Sequence, residues 1–148
     1  MMKLAVVFVG GGLGSVLRYA MGLLVAKFTP SSSLTGSSAA ETATGTTPHW
    51  LAMYPIATMS VNIIGCALIG FIWGMLGDPE EGNEPLRLAL IVGLLGGFTT
   101  FSSFGWETLD LMSNGRTASA IGYVLISVAL GLLAAWGGHA IATLISGS

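Results

Sequence analysis

Charged residues are scarce in this sequence. Lys, Arg, Asp and Glu together make up 8% of its 148 residues, whereas a soluble domain carries roughly 25%. So few charges cannot cover the surface of a water-soluble globule, and 53% of the residues are hydrophobic, with a mean hydropathy of +0.81. The composition excludes a soluble enzyme and a disordered tail, and it predicts a chain that lies in a lipid bilayer.

Cysteine and basic residues are also scarce. The single cysteine, Cys66, excludes an internal disulfide and a cluster of cysteine ligands around a metal. The five basic residues are scattered singly and the net charge is -2, so the chain has no basic stripe that would bind nucleic acid. Glycine is abundant by contrast, with 22 residues. This is about twice the usual ~7% share and is typical of closely packed membrane helices.

Four segments are long and apolar enough to cross a bilayer. A spanning helix needs ~20 apolar residues, because each residue rises ~1.5 Å and the hydrocarbon core is ~30 Å thick. The predicted spans are residues 4–26, 51–77, 88–112 and 118–145. The segment 27–50 is rich in Ser and Thr, which predicts a flexible surface loop. We therefore predict an all-α integral membrane protein with one membrane domain, residues 1–148, and no enzyme activity.

The basic residues of the predicted loops are balanced between the two sides of the membrane. Lys3 and Arg87 lie on one side, and Lys27 and Arg116 lie on the other. An excess of Lys and Arg on one side normally sets the orientation of a membrane protein. The balance therefore predicts insertion in both orientations and a dual-topology, antiparallel homodimer; a single, weakly biased orientation is the alternative.

Two charged residues lie inside the predicted spans, where charges are costly and need a reason. On ideal helices Arg18 lies ~12 Å and Glu107 ~7.5 Å from the same membrane face. One hypothesis is a structural ion pair between Arg18 and Glu107 that closes the bundle. The other is a charged vestibule that attracts an anion or handles protons.

The middle of the third span contains the polar, glycine-rich run GGFTTFSSF at residues 96–104. Glycine has no steric preference for a helix, and Ser and Thr side chains compete for backbone groups, so we predict a break near Gly96 to Thr99. Backbone carbonyls freed at that depth must be buried or bind a ligand, and a small cation is a natural partner for them. A continuous helix packed against a neighbour is the alternative.

Depths along ideal helices place four side chains in one layer. They are ~16.5 Å for Asn62 and Phe101 and ~13.5 Å for Ser103 and Ser127. The amide and hydroxyls are neutral donors, and an aromatic ring presented edge-on offers partial positive charge to a small anion. Phe104 shares a helix face with Phe101, so this layer is a candidate anion site that binds weakly enough to release its ligand. Ordinary core or lipid packing of the two rings is the alternative.

Shorter patterns predict polar lines and close packing. Thr58 and Asn62 share a face of the second span, as Tyr123 and Ser127 share a face of the fourth. The glycines of residues 10–14 nearly fit a dinucleotide-binding fingerprint, but no strand precedes them. Gly10 and Gly14 are better interpreted as a close contact between helices.

Together these motifs resemble the Fluc or CrcB-type fluoride channels. The matching elements are GGLGSVLRY at residues 11–19, Pro55, Thr58, VNIIG at residues 61–65, and above all GGFTTFSSF at residues 96–104 followed by Glu107. The resemblance covers all four predicted spans. It implies an antiparallel, dual-topology homodimer in the cell membrane of a microbe. Such a dimer conducts fluoride passively down its gradient out of the cytoplasm and so relieves fluoride toxicity.

The resemblance also implies roles for individual residues. Phe101 and Phe104 correspond to the fluoride-coordinating phenylalanines, and Asn62 to the pore amide. The hydroxyl groups along the implied pore belong to Thr100, Ser103, Tyr123 and Ser127. The backbone carbonyls of Gly96 and Thr99 correspond to a central sodium site shared by both subunits, in which the sodium ion is structural and is not transported.

The sequence departs from the family pattern at two positions. Ser103 stands where many relatives carry Thr, and Gly131 stands where a second serine would extend the hydroxyl track. Two other functions stay open at this point. A small proton-coupled multidrug antiporter has the same size and topology, but Glu107 would have to replace the acidic residue of its first span. A non-transporting subunit of a membrane assembly would leave residues 96–104 unexplained.

Overall fold

The computed structural model describes residues 2–28, 55–76 and 83–147. It contains four helical segments that are long and apolar enough to cross a membrane: Met2–Phe28, Ile56–Leu76, Glu84–Ser113 and Thr117–Ser146. The described residues contain no β-strand. The prediction of an all-helical fold with four spans is therefore confirmed. Of the predicted loop 27–50, Lys27 and Phe28 belong to the first helix, and the rest lies outside the described residues.

Three of the spans are continuous helices, and the third is segmented. The continuous helices are α1 (Met2–Phe28), α2 (Ile56–Leu76) and α6 (Thr117–Ser146). The third span consists of α3 (Glu84–Arg87), a π-helix (Leu88–Leu95), α4 (Gly96–Phe98) and α5 (Phe101–Ser113). The π-helix is rare in proteins, where it is mostly limited to a single turn and frequently lies at a functional site. The hydropathy of the third span predicts a helix but does not distinguish this wider winding from an α-helix.

The third span breaks at Thr99 and Thr100. Their backbones are extended, with φ −79° and ψ 159° at Thr99 and φ −148° and ψ 110° at Thr100. A break is therefore confirmed, but it lies at the end of the predicted range, because Gly96 keeps helical dihedrals of φ −62° and ψ −36°. The neighbouring Gly97 serves packing instead, since a Cβ there would overlap with the backbone of Gly11 in α1.

Helix α1 packs along the first half of the third span, on the π-helix and α4. Glycine sets the separation of the two backbones. A Cβ on Gly10 would lie 2.6 Å from the carbonyl oxygen of Ala89, and one on Gly14 would lie 2.8 Å from the backbone nitrogen of Phe98. The contacts advance in the same direction along both spans, so the helices run parallel. The predicted close contact at Gly10 and Gly14 is confirmed.

Helices α2 and α6 form the most extensive helix pair. Gly70 lies against the backbone of Ala135, and Gly74 lies against His139 and Ala142. These contacts advance in the same direction along both helices, so the helices run parallel, and the missing side chains let the two backbones approach closely.

Helix α6 also packs on α5, the half of the third span after the break. Leu111 of α5 is buried there with Ala120 and Tyr123 of α6. The two halves of the third span therefore pack on different helices. The π-helix and α4 pack mainly on α1, and α5 packs mainly on α6, whereas α2 contacts both halves.

The connection between α5 and α6 is a tight turn at residues 113–116. Gly115 adopts φ +73°, a left-handed conformation that glycine tolerates at the end of a helix. The N–H of Gly115 donates to the carbonyl of Met112 (3.0 Å), and the N–H of Arg116 donates to that of Leu111 (2.9 Å). These bonds cap α5 and return the chain at once into α6.

Candidate functional site

The side chain of Asn62, on α2, holds the break in the third span. Its Oδ1 accepts a hydrogen bond from the backbone N–H of Thr100 (2.9 Å), and its Nδ2 donates to the backbone carbonyl of Thr100 (3.1 Å). Unpaired backbone groups are costly in a bilayer core, where no water can bind them. Asn62 therefore replaces hydrogen bonds that the break removes.

Thr100 is the N-cap residue of α5. Its Oγ1 accepts a hydrogen bond from the N–H of Ser103 (3.2 Å) and donates one to the Oγ of Ser103 (3.0 Å). A threonine in this position satisfies one of the free N–H groups at the start of a helix. Two of the predicted pore residues, Thr100 and Ser103, are thus bonded to each other at the first turn of α5.

Two backbone carbonyls at the break have lost their usual donors. In a continuous α-helix the carbonyl of Gly96 accepts from the N–H of Thr100, and the carbonyl of Thr99 accepts from the N–H of Ser103. Here these two N–H groups donate to the side chains of Asn62 and Thr100 instead. The oxygens of Gly96 and Thr99 are therefore released from the helical ladder.

Three aromatic rings form a line beside the break. The centroids of Phe101 and Phe104 are 5.8 Å apart, and those of Phe104 and Tyr123 are 5.1 Å apart. Phe101 is 83% exposed, Phe104 is half-buried and Tyr123 is fully buried. The rings are tilted by 41° and 45°, so each pair presents ring edges as well as faces. The line leads from the surface of the chain to its interior.

The line of rings ends at the carboxylate of Glu107. The hydroxyl of Tyr123 donates to Oε2 (2.8 Å), and the hydroxyl of Thr58 donates to Oε1 (2.6 Å). An ionised carboxylate only accepts hydrogen bonds, so two hydroxyl donors match its charged form. This three-helix network of α2, α5 and α6 was not predicted from the sequence. The polar lines through Thr58 and Tyr123 were the available signal, but the pattern does not show how the helices are rotated about their axes.

Arg18 lies outside this network. Within the described ranges 2–28, 55–76 and 83–147, it forms no salt bridge with Glu107. The ion pair hypothesised from depth alone is thus not formed within this chain. The physical reason is the break: α1 packs on the half of the third span that precedes it, whereas Glu107 belongs to the half that packs on α6.

Ser127 lies on α6, one turn beyond Tyr123. Its Oγ is buried and has no hydrogen-bond partner among the described residues. Buried hydroxyl groups are nearly always hydrogen-bonded, because an unpaired one costs free energy. The hydroxyl of Ser127 is therefore able to donate to a group from outside this part of the chain.

These features accompany a clear family relationship. The family described as "CrcB-like protein, Camphor Resistance (CrcB)" matches residues 5–139. The chain belongs to the CrcB family. The resemblance predicted from the motifs of the first, second and third spans is thereby confirmed. As a CrcB-family member with four apolar helices, the chain is a multi-pass protein of the cell membrane.

Several curated relatives of this CrcB-family chain are named fluoride-specific ion channel FluC. The one from Stutzerimonas stutzeri is 40% identical over 136 residues, which cover 91% of this chain and 92% of the relative. The one from Azotobacter vinelandii is 39% identical over 132 residues, or 89% and 90% of the two chains. A third, from Pseudomonas putida, is 47% identical over 90 residues, or 61% and 73%.

Proposed function

We propose that this protein is a fluoride-selective channel that lets fluoride leave the cytoplasm down its gradient and so relieves fluoride toxicity. The observation that carries the proposal is its similarity, along nearly the whole of both chains, to proteins named fluoride-specific ion channel FluC. These names favour a channel over the antiporter alternative. The line of rings beside the break supports the same function.

In this proposal Phe101 and Phe104 contact the anion. The edge of an aromatic ring carries partial positive charge, which attracts a small anion without holding it as tightly as a cation would. Weak binding is required, because a conducting site must also release its ion. Phe104 is packed against the buried ring of Tyr123, which supports a fixed orientation for it.

Hydroxyl and amide donors replace water along the rest of the proposed path. Ser103 is held at the start of α5 by Thr100, and Ser127 has a buried hydroxyl that no described residue binds. The Nδ2 group of Asn62 carries two donors, and its bond to Thr100 uses one of them. Each group offers a neutral donor, which is the requirement that weak anion binding sets.

We further propose an antiparallel homodimer as the functional unit. The balance of Lys3 and Arg87 against Lys27 and Arg116 supports insertion in both orientations. Phe101 also supports a second copy. Its side chain is 83% exposed in the single chain, and an anion that contacts this ring without water must be enclosed by other groups on its opposite side.

A structural sodium ion is part of the proposal. The carbonyl oxygens of Gly96 and Thr99 fit such an ion, because their helical donors are diverted to side chains and unwound carbonyls are typical sodium ligands in membrane proteins. When bound, the ion would neutralise the partial negative charge of these oxygens and hold the break. It is not transported.

The proposal is tested by fluoride release from liposomes that contain the purified protein, followed with a fluoride electrode and repeated with chloride. Rapid release that is selective for fluoride and independent of a proton gradient is expected. Release that requires a proton gradient would favour the antiporter and a role for Glu107 in proton transfer. No release from correctly reconstituted protein would contradict both functions.

A further inference from the structure

An apolar groove of about 430 Å³ runs along one side of the contact between α1 and the π-helix. Its walls are formed by Met2, Val9 and Leu13 of α1 and by Leu90 and Leu94 of the π-helix. Its volume lies within the range of small-ligand pockets in proteins. None of the residues that line it takes part in the line of rings or in the network of Glu107.

The groove has the length of one leaflet. Its lining residues on α1 extend from Met2, at the start of the helix, to Leu13. Eleven helical steps correspond to ~16 Å, which is about half of the ~30 Å hydrocarbon core. A single acyl chain that enters from the membrane face near Met2 would therefore occupy it, whereas a spanning helix of a second copy would extend far beyond it.

An exposed ion pair lies at the end of the contact between α1 and the third span. The Nζ of Lys3, next to Met2, lies 2.7 and 2.8 Å from the two carboxylate oxygens of Glu84, at the start of α3. Two of the three donors of the ammonium are used in this bond, and the carboxylate keeps free lone pairs. The other basic residue at this end, Arg87, is buried with its guanidinium 4.2 Å above the ring of Trp73.

We propose that the groove binds one acyl chain of phosphatidylethanolamine, with the lipid phosphate on Lys3 and the lipid ammonium on Glu84. The pair and this headgroup each carry one cation and one anion side by side, so the two sets of charges are complementary. An anionic lipid such as phosphatidylglycerol would satisfy Lys3 but would place its phosphate beside the carboxylate of Glu84. The site is therefore selective for a headgroup that carries an ammonium.

The experiment compares the binding of phosphatidylethanolamine and phosphatidylglycerol with identical acyl chains to the purified protein by native mass spectrometry. One phosphatidylethanolamine per chain is expected, bound about tenfold more tightly than phosphatidylglycerol. Glu84→Gln should remove this preference. Equal binding of the two lipids by the unaltered protein, or a preference that persists in Glu84→Gln, would overturn the headgroup assignment.

Occupation of the groove is tested by Ala5→Phe, which places a ring among the lining residues. Ala20→Phe is the matched control, because Ala20 is also an exposed alanine of α1 but lies outside the groove. Ala5→Phe should lose lipid binding, and Ala20→Phe should keep it. Unchanged binding in Ala5→Phe, or a change of oligomeric state in its place, would overturn the proposal, the latter in favour of a second copy in the groove.

A measurement on the unaltered protein covers the case in which Ala5→Phe fails to fold. Phosphatidylethanolamine with a photoactivatable diazirine in its acyl chain is added, irradiated and located by peptide mass spectrometry. Labelling concentrated on residues 2–13 and 89–94 is expected. Labelling spread evenly over the lipid-facing helices would overturn the proposal.

Discussion

Asn62 and Thr100 are joined by two hydrogen bonds, so that one side-chain amide on α2 binds both the N–H and the carbonyl of a residue in the third span. Only a side chain with a donor and an acceptor side by side can make this pair of bonds. The amide thereby ties α2 to the third span at the point where that span is not helical.

Replacing Asn62 with alanine should destabilise the protein. Both backbone groups of Thr100 would lose their partners, and an unsatisfied buried group costs about 1–3 kcal/mol. Thermal unfolding in detergent measures the effect. Ser60→Ala is the control, because Ser60 is a half-buried polar residue of the same helix. Equal melting temperatures for the two variants would contradict the bridging role of Asn62.

Phe101→Ile should abolish fluoride release from liposomes while the protein still folds. Isoleucine keeps the apolar volume but has no ring edge to attract an anion. The matched control is Phe8→Ile, because Phe8 on α1 is 81% exposed and Phe101 is 83% exposed. Full activity in Phe101→Ile, or equal loss in Phe8→Ile, would remove the Phe101 ring from the mechanism.

Thr58→Val and Tyr123→Phe should be coupled through Glu107. Each substitution removes one of two donors to the same carboxylate, and residues in one hydrogen-bond network show interaction energies of about 0.5–3 kcal/mol. A double-mutant cycle on the free energy of unfolding measures the coupling. Thr143→Val should instead add independently to Tyr123→Phe, because Thr143 lies ~30 Å along α6 from Tyr123 and its hydroxyl bonds the carbonyl of Ala140. Additive effects of Thr58→Val and Tyr123→Phe would show that the network is not energetically connected.

Gly14→Ala should destabilise the contact between α1 and the third span. The new methyl group would lie 2.8 Å from the backbone nitrogen of Phe98, which cannot move without shifting a helix. Gly12→Ala is the control, because a Cβ there meets nothing within 4 Å. Alanine favours a helix over glycine by about 1 kcal/mol, so Gly12→Ala should be neutral or stabilising in a thermal unfolding experiment. The reverse order of the two variants would contradict the packing described for α1.

Exchange of sodium for N-methylglucamine at constant ionic strength should reduce both fluoride release and thermal stability. An ion that binds only the folded protein stabilises it by about 2.7 kcal/mol at 100 times its Kd. The melting temperature should therefore rise with sodium concentration. Indifference of both measurements to the exchange would count against a sodium ion at the carbonyls of Gly96 and Thr99.

The sequence predicts well those features that depend on position along the membrane normal. The four spans follow from length and hydropathy, and the break follows from a run of residues that favour the helix poorly. The glycines at positions 10 and 14 predict close packing because a missing side chain has the same consequence on any neighbouring helix.

Features that depend on rotation about the helix axes were not predictable in this way. Arg18 and Glu107 were matched by depth, yet Glu107 faces Thr58 and Tyr123. The exact position of the break follows from tertiary contacts as well, because Gly97 packs directly on the backbone of Gly11 in α1. Local preference alone would place the break at the glycines.

The division of the third span at Thr99 and Thr100 has a mechanical consequence. Its first half packs mainly on α1, and its second half packs mainly on α6. Any tilt of one half against the other would be concentrated in two extended residues, since neither half would have to bend. The two extended residues would then act as a hinge between two short helical segments. The two hydrogen bonds from the amide of Asn62 restrain that hinge.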